Sequence, residues 1–138
     1  EQYMPGRNQL SAAQSELILS KLKSKPKISI IMPVRTEVPQ QALDRSIASV
    51  SGQHYKNVQL VIVTPPQVSP GYPEQKASGW NVRIVNCEST SPGRMLNAAL
   101  EHCEGGFVSF ILPGDELPPD ALTWLIWNIN VFTDGKWF

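Results

Sequence analysis

Apolar positions along the chain come in two patterns, short unbroken runs and spaced stripes, and they alternate. The runs lie in "KISIIMP" (27–33), "VQLVIV" (58–63), "NVRIV" (81–85) and "FVSFIL" (107–112). Each is rich in β-branched or aromatic residues and predicts a strand; the first two read as buried on both faces. The stripes predict helices. In "SAAQSELILSKLK", Ser11 and Gln14 form a capping box, Ala13, Leu17, Ile18 and Leu22 form one apolar face, and Pro26 closes the segment. "PQQALDRSIASVSGQ" places Leu43, Ile47 and Val50 on one stripe, with Gly52 at its end. "SPGRMLNAALEHC" starts at Ser91 and Pro92, turns Leu96, Ala99, Leu100 and Cys103 inward, and ends at Gly105 and Gly106. "PPDALTWLIWNINVF" is apolar nearly all round, so it calls for cover on more than one side. Residues 64–79, "TPPQVSPGYPEQKASG", read as one long loop, of a length that usually carries function.

Buried strands alternating with helices specify an α/β domain, a three-layer α/β/α arrangement around a mostly parallel sheet, preceded by a helical extension. In such open sheets ligands bind beyond the carboxyl ends of the strands, near the point where strand order reverses. Three loops become site candidates from topology alone: Pro33–Glu37, Thr64–Gln67 and Pro113–Glu116. The expected division is a lead-in and amphipathic helix over 1–25 and the α/β domain over 26–138.

Composition narrows the function classes. Twelve basic and twelve acidic residues among 138 cancel, so there is no net field to gather nucleic acid or an anionic membrane. No apolar run approaches the ~20 residues of a membrane span, and "EQYMPGRNQL" has no signal-peptide core. The chain starts without Met, which reads as an excised or processed segment. Cys87 and Cys103 form neither a disulfide framework nor a metal spacing; they read as small core residues in a reducing, cytoplasmic setting. His54 and His102 have no ligand partner at metal spacing.

Two blocks carry a resemblance. "PKISIIMPVRTEVPQQALDRSIASVSGQHYKNVQLVIV", with Ser49, Val50, Gln53, Tyr55 and Asn57 in place, resembles the opening of family-2 glycosyltransferases of the GT-A fold. "SPGRMLNAALEHCEGGFVSFILPGDELPPDAL" resembles the block that carries their Asp-x-Asp motif. The resemblance implies a pocket for a nucleotide-diphospho-sugar, with Mg²⁺ or Mn²⁺ balancing the diphosphate through carboxylate oxygens. It places the nucleotide-sugar site at Pro33, Val34, Arg35 and Thr36, at Thr64, and at Arg94 and Asn97. It leaves Asp115 and Glu116 as the metal-ligand candidates.

The chain also departs from the family pattern. Leu112 and Gly114 stand at the Asp-x-Asp positions, Thr64 and Pro65 replace the acid pair that holds the base, and Arg35 and Thr36 replace Tyr-Asn. Joint chelation by Asp115 and Glu116 needs a sharp turn, which Gly114 permits; the same acids, with Asp120, equally serve the dipole of the last helix. Arg35 and Arg94 offer bidentate guanidinium contacts to a diphosphate in place of a metal, or are solvated loop and helix residues. A complete family-2 domain continues past Phe138 with its acceptor site and general base, so the expectation is a truncated domain, inactive alone, within an enzyme. The alternative from another class is a binding or assembly module that has kept the scaffold and lost its ligands. Trp124, Trp127, Trp137 and Phe138 then form an apolar C-terminal surface open to self-association.

Overall fold

The computed structural model describes residues 10–36, 38–65, 75–77, 80–104 and 106–133; Glu37, Gln67, Gly105, Trp137 and Phe138 fall outside this set. Its elements run α1 (Ala12–Ser20), β1 (Ile28–Pro33), α2 (Gln40–Ser51), β2 (Val58–Thr64), β3 (Gln75–Ala77), β4 (Trp80–Asn86), α3 (Pro92–Leu100), β5 (Phe107–Phe110) and α4 (Ala121–Thr133). The sheet order is β3-β4-β2-β1-β5. β4, β2, β1 and β5 are mutually parallel, with Ile30 opposite Leu60 and Ile31 opposite Phe110. The short β3 pairs antiparallel with β4, inside the stretch expected to be one loop. Three residues with one apolar member, Gln-Lys-Ala, give no strand signal of their own, so the pairing is supplied by β4.

Alternation along β1 and β2 builds two cores. Ile28, Ile30, Met32, Leu60 and Ile62 face Leu43, Ile47 and Val50 of α2 and Leu122 and Ile126 of α4. Ile31, Val61, Val63 and Val85 face Met95 and Ala99 of α3. The result is the expected three layers, with β2 buried at every position.

Three expectations about faces need correction. The buried side of α1 is Ser15 with half-buried Ile18, Leu19 and Leu22, while Ala13 is exposed and Leu17 is 58% exposed. Ser15 turns inward because its hydroxyl meets His54 Nδ1 at 2.7 Å, a contact invisible to a hydrophobicity pattern. β5, read as a buried strand, is an edge: Phe107, Val108 and Phe110 are exposed. Leu100, expected inside, is exposed too, and Met95 takes its place.

The motif residues of the first family block are architectural. Tyr55 donates to the Pro26 carbonyl and Asn57 Nδ2 to the Lys25 carbonyl at 3.1 Å, fixing the entry to β1. Burial pushes the Tyr55 phenol above its ordinary value, with the Asn57 side chain opposing. The folded state therefore holds that proton more tightly than the unfolded chain. Its contribution is full below pH about 10 and declines as pH rises beyond. Tyr55→Phe is expected to lower stability by about 1 kcal/mol at pH 7. It should also lose less stability than the parent between pH 9 and 11, as read by melting temperature.

Candidate functional site

β1 leads directly into the site. The Val34 N–H donates to the Val63 carbonyl at 2.8 Å, and the Val34 side chain is buried in the core shared with α2 and α4. Expected at the site, Val34 instead anchors the loop from beneath. Arg35 and Thr36 are the first exposed residues after it. Arg35 Nε donates to the Thr90 carbonyl at 3.0 Å, tying the end of β1 to the lead-in of α3. The two terminal guanidinium nitrogens have no partner among the described residues.

The chain steps from β1 outward through β2 to β4, then returns to place β5 on the other side of β1. The strand order therefore reverses between β1 and β5, and a cavity of about 390 Å³ opens at their carboxyl ends. Pro33, Arg35 and Thr36 line it with Thr90, Leu112 and Pro113. A second cavity of about 370 Å³ shares Pro33, Arg35 and Leu112 and is closed by Met95, Leu96 and Phe110. Arg35 is the one charged side chain lining either, among the described residues.

The acidic segment forms a sharp turn. The Asp115 N–H donates to the Leu112 carbonyl at 2.9 Å, with Pro113 and Gly114 between them and Gly114 at φ +96°. Proline second and a positive-φ glycine third are the requirements of a type II turn. Ser46 of α2 clamps it: its Oγ accepts from the Gly114 N–H at 2.8 Å and donates to the Asp115 carbonyl at 2.6 Å. The Asp115 side chain is exposed. Glu116 Oε2 lies 3.5 Å from Arg45 Nε, a surface pair that turns this acid toward α2. Asp120 is buried, and its Oδ2 accepts from the Leu10 N–H at 2.9 Å and the Trp124 indole at 3.2 Å. Rather than serving only the helix dipole, it fastens the N-terminal segment.

Of the remaining candidates, Thr64 is buried, its hydroxyl donating to the Pro65 carbonyl at 3.3 Å, and it lines neither cavity. Arg94 and Asn97 are exposed on α3 and outside both linings. Thr90 and Ser46 carried no sequence signal: each acts through a contact with a residue more than fifty positions away. Among the described residues no three His, Cys, Asp or Glu side chains gather at one point. One carboxylate, Asp115, faces solvent from the turn where the family places two, so the donor set does not fit a two-carboxylate cation site. The two cysteines are free and half-buried, and burial raises the Cys103 thiol against a hydroxyl contact from Ser29. Such a thiol is a packing residue rather than a nucleophile.

A mostly parallel sheet with its cavity at the reversal point defines a doubly wound α/β domain, consistent with the GT-A fold. Solved structures share that fold. Staphylococcus aureus TarS 1–349 in complex with UDP matches with a TM-score of 0.55 at 20% identity, over 79% of this chain and 32% of that one. The mannosyltransferase PcManGT of Pyrobaculum calidifontis, in complex with GDP-Man and Mn²⁺, matches with a TM-score of 0.54 at 16% identity, over 83% and 38%. Residues 29–130 match the glycosyl transferase family 2 model, and the chain belongs to that family. The uncharacterized protein y4gI of Sinorhizobium fredii is 30% identical over 135 residues, which are 94% of this chain and 15% of that protein. The chain thus spans a small part of its curated relative and about a third of the solved chains. No helix among the described residues is long and apolar enough to cross a membrane.

Proposed function

We propose that this chain is the donor-binding part of a glycosyltransferase and holds a nucleotide-diphospho-sugar in the cavity between the ends of β1 and β5. The observation carrying this is Arg35, which lines that cavity with its outer guanidinium edge free, in a chain of family 2. The solved relatives with UDP and GDP-Man support the ligand class. The reaction is displacement at the anomeric carbon with the nucleoside diphosphate leaving, and the acceptor's proton passes to a base that no residue described here supplies. Residues 26–138 act as the binding unit, and α1 braces it through the Ser15–His54 and Leu10–Asp120 contacts.

A second reading is a non-catalytic binding or assembly module. It is favoured by Leu112, Gly114, Thr64 and Pro65 standing where the family carries acids. Calorimetric titration with UDP, GDP, ADP and CDP separates the two. Saturable binding of one of them is expected, and Thr36→Trp, which fills the cavity from an exposed position, should abolish it without moving the melting temperature. Silence across the panel leaves the assembly reading.

A further inference from the structure

Resting on the donor-binding reading above, we propose that this site holds the diphosphate without a divalent cation, using Arg35 as its counter-charge. The first argument is the donor set. The turn that follows β5 presents Leu112 and Gly114 at the two positions of the family's acidic motif, and Leu112, 59% exposed, forms an apolar wall of both cavities. A hard cation needs oxygen ligands, and that wall offers none. Neither neighbouring acid lines either cavity. Glu116 pairs with Arg45, and the backbone of Asp115 is pinned by Ser46.

The second argument is the guanidinium. Arg35 is oriented by its Nε–H bond to the Thr90 carbonyl, and Nη1 and Nη2 remain as a pair of donors on a side chain that lines the cavity. That fork matches two phosphate oxygens, and its charge persists at every accessible pH. The same positive charge repels a dication placed beside it. The start of α3, with Pro92 on the wall of the second cavity, adds the partial positive charge of a helix N-terminus. Arg35 is held from across the site by the α3 lead-in, so little side-chain freedom remains to be lost when an anion binds.

The test titrates the nucleoside diphosphate that binds, and inorganic pyrophosphate, in EDTA and in excess MnCl₂, for the parent, Arg35→Ala and Arg35→Lys. Dissociation constants that agree within about twofold between EDTA and Mn²⁺ are expected. Arg35→Ala should weaken both ligands at least tenfold, and Arg35→Lys should recover part of the loss because it keeps the charge and loses the fork. Arg35 is exposed, so equal melting temperatures show that the variants fold. Binding that tightens tenfold or more with Mn²⁺ overturns the cation-free mode and leaves donor binding standing. Cation-free binding that survives Arg35→Ala overturns the role of Arg35. No binding of any nucleotide in either buffer overturns this inference and the donor-binding reading together.

Discussion

Gln53→Ala is expected to lower stability by about 3–5 kcal/mol. Gln53 is fully buried and its amide uses both ends. Nε2 donates to the Ser49 carbonyl at 3.1 Å and to the Pro118 carbonyl at 2.6 Å, while Oε1 accepts from the Leu122 N–H at 2.9 Å. Alanine removes all three bonds and leaves the Leu122 N–H without this partner at the start of α4, whereas the Pro118 carbonyl still accepts from the Ala121 N–H at 3.0 Å. Stranding that buried donor costs about 1–3 kcal/mol, the cavity left by the side chain adds to the loss, and a small domain has only about 5–15 kcal/mol in total. Thermal unfolding should therefore shift down by roughly 10–20 °C. Gln53→Glu keeps the shape but turns an acceptor toward the Pro118 carbonyl. A buried carboxyl has a raised pKa, so this variant should regain stability as pH falls, when its protonated oxygen donates again. A melting temperature within 3 °C of the parent for Gln53→Ala would falsify the bridging role.

Leu60→Ala is expected to cost about 2–5 kcal/mol, as a fully buried leucine in the central strand leaves a cavity that its neighbours cannot fill. Phe110→Ala removes more carbon but from an edge strand where the ring is 56% exposed, and should cost about 1 kcal/mol or less. The comparison isolates position from residue type. Urea unfolding of both variants reads it directly, and equal losses would show that the β5 face is packed in solution.

The family block around Gln53 shows how motif and role separate. The sequence flagged Gln53, Tyr55 and Asn57 as pattern residues, and each proves to carry backbone bonds between segments rather than chemistry. At the candidate site, Arg35 and Thr36 follow the end of an apolar run, a position that puts them at the mouth of the sheet, and both line the cavity there. Val34 and Thr64 lie at the same strand ends, yet they are buried. A residue's distance from a strand terminus fixes its height in the fold, whereas the direction of its side chain depends on what packs beside it.

Local chemistry alone set the order of the elements other than β3, and with it a mostly parallel sheet, the capping box at Ser11 and the glycine turn at 114, because periodicity and backbone preference act over a few residues. Tertiary contact decided which face of α1 is buried, that β5 stands at an edge, that β3 pairs at all, and that Ser46 and Thr90 hold the two loops of the cavity. Those outcomes depend on partner segments, the next strand for β3 and residues 39, 55 and 69 positions away for the Ser15, Thr90 and Ser46 bonds, and the free energy of such a contact is written in neither residue separately.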